Sequence, residues 1–135
     1  QWRYDGSVLR SSAGLEPASA VFGVPEHYMV DCLVTLTPKS RFTMTIGGHH
    51  RLCLTPENRQ LSLIGPGFNR TRPCPVDISK PVRIQVFAEG KLIECFVNDQ
   101  FAQTCTVGTV KEKQLEIGAE GGSVGILKLL VKTSQ

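Results

Sequence analysis

Three short runs of alternating apolar and polar residues follow one another between positions 82 and 107. In the first, Val82, Ile84 and Val86 alternate with Arg83, Gln85 and Phe87. In the second, Ile93, Cys95 and Val97 alternate with Leu92, Glu94, Phe96 and Asn98, and residues 101–107 run back. Ala88-Glu89-Gly90-Lys91 and Asn98-Asp99-Gln100 supply the turns, Gly90 being free to take positive φ. A period of two held over three successive runs predicts an antiparallel meander with one face on a core. With Glu89 and Gly90 at the centre of the first turn, Val86 falls opposite Ile93 and Ile84 opposite Cys95. The other face then puts Gln85 beside Glu94 and Arg83 beside Phe96. Such a face suits either a polyhydroxylated ligand or solvent with a cross-strand polar pair.

The rest of the chain has the same rhythm. Residues 27–37 alternate, with Tyr28, Val30, Cys32, Val34 and Leu36 on one side. Residues 41–46 return with Phe42, Met44 and Ile46 inward, and residues 51–54 and 61–64 form the next pair. Residues 114–119 and 124–131 close the chain across Glu120-Gly121-Gly122-Ser123. Residues 1–26 read as loop with one short strand at 8–10, and residues 65–75 read as a long loop. All eight prolines lie in the first 81 residues, and no segment carries a helical period. Short strands between frequent turn signals predict an all-β protein, a two-sheet antiparallel β-sandwich of jelly-roll type.

The chain has 135 residues, which predicts one domain spanning 1–135 with a substantial core. Net charge is +3 with no basic run, too mild a balance for a nucleic-acid surface. No apolar run is long enough to cross a membrane as a helix. The start at Gln1 suggests a mature product or a module of a longer protein.

Candidate chemistry is sparse. Cys32, Cys53, Cys74, Cys95 and Cys105 are odd in number and lack metal-site spacing, which favours free thiols with at most one bridge. His49 and His50 are adjacent, so on a strand they face opposite ways and are poorly placed to share a metal. No acidic cluster has calcium-loop spacing. No nucleophile elbow, phosphate loop or dinucleotide fingerprint occurs. Among the scattered carboxylates, Glu94 stands in mid-strand among hydrophobic neighbours. A single such Glu does not make the acid–base pair of a glycosidase. The residues therefore point to a non-enzymatic sandwich that binds or builds. No cofactor is expected.

Two stretches also carry a family resemblance. VFAEGKLIECFVN at 86–98 resembles a run of the type V-D-x-S-x-V-E-V-F-V-N in the C-terminal sandwich of glycoside hydrolase family 32, the invertases, levanases and inulinases. Glu94, Phe96, Val97 and Asn98 match, and Cys95 replaces a valine. LEIGAEGGSV at 115–124 resembles that module's closing L-x-L-Y-A-E-G-G-S-V. Asn69-Arg70-Thr71 is weakly similar to an Asp-Arg-Ser/Thr step, and the first 80 residues agree only in strand rhythm.

The resemblance implies a concanavalin-like sandwich without the catalytic propeller that carries the family's carboxylates. It is similar as well to carbohydrate-binding module family 66, stand-alone relatives that recognise fructosides. Two functions follow as expectations. The first is a secreted or cell-surface fructan-binding module that targets an appended glycoside hydrolase. Its ligand would meet Arg83, Gln85, Glu94 and Asn98, with Arg70 and His49 or His50 from nearby loops. The second is a structural module that packs on a catalytic domain through Trp2, Tyr4 and an apolar patch, and binds no sugar.

Overall fold

The computed structural model describes residues 2–5, 8–11, 18–89, 91–106 and 113–133, with residues 2–11, 18 and 133 described in their backbone alone. The strands are β1 (Trp2–Asp5), β2 (Val8–Ser11), β3 (Ala18–Gly23), β4 (Tyr28–Leu36), β5 (Arg41–Ile46), β6 (His50–Thr55) and β7 (Gln60–Gly65). They continue as β8 (Phe68–Pro73), β9 (Val82–Glu89), β10 (Leu92–Val97), β11 (Phe101–Thr106), β12 (Gln114–Glu120) and β13 (Val124–Thr133). No helix occurs among the described residues. One sheet has the order β1-β2-β13-β4-β9-β10-β11 and the other β3-β12-β5-β6-β7-β8. Every pairing is antiparallel. The fold is thus the two-sheet antiparallel sandwich that the alternation predicts.

The inner faces meet as the pattern requires. Val30, Cys32, Val34, Ile84, Val86, Cys95 and Val97 of one sheet are buried. Phe42, Met44, Leu52, Leu54, Leu61, Leu63, Leu115 and Ile117 of the other join them in one continuous cluster. Each fully buried aliphatic or aromatic side chain contributes about 1.5–3 kcal/mol over its exposed state. All five cysteines are unpaired and buried. Burial pushes the Cys32 and Cys95 thiols up to about 12 and Cys74 up to about 11, so they stay protonated and serve as packing groups.

The sequence reading missed three strands. β1 and β3 lie in the stretch read as loop. β8 occupies most of the expected loop at 65–75, pairing with β7 from Gly65↔Phe68 to Gln60↔Pro73. Its alternation is hidden because five of its six residues are exposed at the sheet edge. Trp2 and Tyr4 fall on β1, where side chains lie outside the described residues.

The two sheets end on one side at β11 and β8, and side chains tie those edges together. Arg70 Nη1 donates to Thr104 O at 2.8 Å, and Arg72 Nη1 donates to Ala102 O. The buried Gln103 amide donates to Leu61 O and Arg70 O, both at 3.1 Å. These bonds occupy carbonyls that an open edge would otherwise offer to another chain.

At one end of the sandwich, the turn after β12 rests on the turn after β4. Thr37 Oγ1 accepts from Ser123 N at 3.2 Å and donates to Ser123 O at 3.4 Å. Gly121 has φ of +77°, and a Cβ there would meet Lys39 O at 2.5 Å. Gly121→Ala is therefore expected to destabilise the protein by about 1–3 kcal/mol, read as a lower denaturant midpoint at unchanged slope.

Candidate functional site

The hairpin of β9 and β10 presents one face to solvent, and its register decides what that face contains. Glu89 pairs with Leu92, Phe87 with Glu94 and Gln85 with Phe96. Glu89 and Leu92 are thus the last pair before the turn, and the pairing is shifted by two from the expected one. The same residues face inward, but Glu94 stands opposite Phe87 rather than Gln85. Phe96 stands opposite Gln85 rather than Arg83.

The shift creates a shallow pocket of about 330 Å³ lined by Phe87, Glu89, Leu92, Glu94 and Phe96. The Phe87 and Phe96 rings meet edge to face, with centroids 5.8 Å apart at 83°. Phe87 is 37% exposed and Leu92 36%, an unusual state for large apolar groups on a sheet that has a buried face elsewhere. Glu94 is half-buried and has no hydrogen-bond or ion-pair partner among the described residues. Beyond the pocket, Met29 of β4 pairs with Phe87, and the small Ala102 and Thr104 of β11 pair with Phe96 and Glu94.

A polar network fills the next part of the same face. Arg83 donates twice to Asp31, from Nε to Oδ1 at 3.1 Å and from Nη2 to Oδ2 at 2.9 Å. Its Nη1 lies 3.5 Å from Asp99 Oδ2. With the Gln85 amide oriented by its neighbours, its nitrogen donates to Asp99 Oδ1 at 3.0 Å and its oxygen accepts from Arg83 Nη2 at 3.2 Å. Gln85 is thereby held beside Phe96. The Arg83 guanidinium keeps the Asp31 carboxyl below its usual range against the opposing effect of burial, with Lys128 and Lys132 adding to the lowering.

Asn98 serves the backbone. Its Oδ1 accepts from Arg83 N at 2.9 Å and its N–H donates to Arg83 O at 2.8 Å, extending the β9–β10 ladder past Val97. Asn98 and Asp99 have φ of 51° and 57°, the left-handed region that these two residue types tolerate.

The other expected site residues lie apart from this face. Arg70 is bound to the Thr104 carbonyl at the sheet edge, with its guanidinium 5.5 Å from the Phe68 ring centre. His49 is exposed in the β5–β6 turn. His50 begins β6 and is buried, its ring centre 6.1 Å from that of Phe68. Burial, with His49 adding, holds its imidazole below the ordinary histidine value. The structure thus brings Arg83, Gln85, Asn98 and Glu94 onto one hairpin and leaves Arg70, His49 and His50 outside it. Phe87, Glu89, Leu92 and Phe96 are the lining residues not among those expected from the sequence. Their alternation with buried positions is visible in the sequence, but the register that gathers them is not.

Among the described residues, no group of three or more His, Cys, Asp or Glu side chains is placed to hold a metal ion. No helix among them is long and apolar enough to cross a membrane.

The strand order and the all-antiparallel pairing define a class: two-sheet antiparallel β-sandwiches. The chain shares its fold with the carbohydrate-binding module of family 66 from Bacillus subtilis, at a TM-score of 0.76 and 10% identity over 98% of this chain and 91% of that one. A Caenorhabditis elegans galectin matches at 0.67 and 15% identity over 91% and 95%. Exo-inulinase from Aspergillus awamori matches at 0.72 and 13% identity over 91% of this chain and 28% of that one. The match to the family 66 module and to a portion of an inulinase fits the resemblance read in residues 86–98 and 115–124. No family model matches the sequence, and no curated protein matches it.

The Asp31–Arg83 pair gives a pH signature. The Asp31 carboxyl is lower in the folded state, so its contribution to stability is complete above the unfolded value of about 3.9 and is lost as pH falls through the folded value. Asp31→Asn is expected to flatten the fall of the thermal midpoint below about pH 4 relative to the unsubstituted protein. Parallel midpoint curves for the two proteins would contradict it.

Proposed function

We propose that residues 1–135 act as one non-catalytic carbohydrate-binding module for fructose-containing glycans. The module would operate outside the cell or at its surface and position an appended glycoside hydrolase on levan- or inulin-type chains. The observation that carries the reading is the Glu94 carboxylate, half-buried, with no partner among the described residues, beside two partly exposed aromatic rings that meet each other on a solvent-facing sheet. A furanose has a small apolar face and several hydroxyls. A phenyl ring suits the first and a carboxylate accepts from the second.

The dimensions agree with this use. About 330 Å³ is at the small end of ligand pockets, which suits a terminal sugar residue rather than a long stretch of chain. The site is built on strands, with Gln85 fixed by Arg83 and Asp99, so little ordering is left to occur on binding. A hydrogen bond to a charged group contributes about 1.5–3 kcal/mol, and weak affinity for a single sugar follows from so few contacts. In this reading Glu94 contacts the sugar beside the Phe87 and Phe96 rings, and Arg83, Gln85 and Asn98 support the face on which they stand.

A second reading is favoured by the inulinase match, in which a sandwich of this fold is part of a larger chain. The module would then pack on a catalytic domain, with its exposed apolar side chains in the interface.

Titration calorimetry with levan, inulin and fructose separates the two. The binding reading expects saturable heat with levan or inulin. Glu94→Ala and Phe96→Ala are expected to weaken it roughly tenfold or more, and Arg83→Ala to weaken it less, with unfolding midpoints near that of the unsubstituted protein for Glu94→Ala. No heat with any of the three ligands, together with no retardation in a levan gel, leaves the structural reading. Release of sugar from sucrose or levan by the purified chain would contradict both.

A further inference from the structure

The pocket has a charge composition that goes beyond the recognition of a neutral sugar. Its lining contributes two carboxylates, Glu89 and Glu94, and no lysine, arginine or histidine. Three cations near it are engaged or displaced. Arg83 is held by Asp31 and Asp99 one register step away. Arg70 is held on the Thr104 carbonyl, at the edge of the strand that pairs with Glu94. Lys91 is exposed in the turn that follows Glu89 and does not line the cavity. The aromatic rings have the same preference as the carboxylates, since the face of a phenyl ring attracts a cation and repels an anion.

We propose that this pocket sorts its ligands by charge, holding a sugar that carries a protonated amine more tightly than the neutral sugar and excluding one that carries a phosphate, sulfate or carboxylate. The inference rests on the reading of the pocket as a sugar site and adds the class of sugar it takes. Glu94 is the deciding group. It is half-buried, where a like charge is poorly screened, and it has no described partner to neutralise it. An ammonium group beside it gains both the carboxylate and the flanking Phe87 and Phe96 rings. An anionic group in the same position meets the Glu94 carboxylate with no donor from a lining cation.

A set of ligands differing in one substituent tests this: fructose, 1-amino-1-deoxyfructose and fructose 6-phosphate, each titrated directly into the protein by calorimetry near neutral pH, with levan titrated alongside. The expected order is the amine at least about fivefold tighter than fructose and the phosphate at least about tenfold weaker. Glu94→Gln is expected to bring the three within about twofold of one another, whatever it does to the affinity for fructose itself. Near-ultraviolet circular dichroism confirms that the variant is folded. Levan binding without the charge order would overturn this inference and leave the fructan reading. Retention of the amine without any levan binding would support it and overturn the fructan reading. Failure of every ligand to bind would overturn both.

Discussion

Burial of every second residue of β4, β9 and β10 against β5, β6 and β7 is the interaction on which the rest of the structure depends. Val30, Cys32, Val34, Ile84, Val86, Cys95 and Val97 have no other route out of water, and Phe42, Met44, Leu52, Leu54, Leu61 and Leu63 meet them. Because side chains alternate across a strand, this commitment also fixes which residues stay outside. A slip of one residue in β10 would bury Glu94 and Phe96 and expose Ile93, Cys95 and Val97. The core therefore holds Glu94 on the outer face, and folding places no further demand on it.

The outer face of that sheet divides into two unlike halves. Around Arg83 the polar groups satisfy one another: Asp31, Asp99, Gln85 and the Asn98 amide all find partners there. Glu94 itself has no partner among the described residues, and its neighbours Phe87 and Phe96 are aromatic. A fully paired network is a rigid support with little left to offer a ligand. An unpaired carboxylate beside exposed rings is costly to leave unused and is available to one. The contrast between adjoining halves of one sheet, and not the presence of charged residues as such, singles out the pocket.

The period-two pattern made the meander, the return strands and the inner residues legible, because burial imposes that pattern directly. β8 was not legible, since an edge strand with Asn69, Arg70, Thr71 and Arg72 exposed has no apolar alternation to display. Arg70 reads as a ligand group for the same reason, although it closes the seam to β11, as Arg72 does. Glu94 was legible as the odd carboxylate in mid-strand. Its aromatic surroundings were not, because a two-residue shift of register leaves the inward face unchanged and so cannot be seen in the pattern. The shift depends on where the turn at residues 90–91 falls, and Gly90 permits either placement.

That same insensitivity explains how one sandwich can support different ligands. A shift of register by two preserves the core and re-pairs every outer residue, so the outer face can change composition at little cost to folding. Matches at 10–15% identity to a carbohydrate-binding module, a galectin and part of an inulinase share the strands and the core geometry. What each places on its sheet faces is decided residue by residue. In this chain the decisive pairing is Phe87 with Glu94, which converts a mid-strand acid from a candidate structural acceptor into the floor of an acidic aromatic cleft.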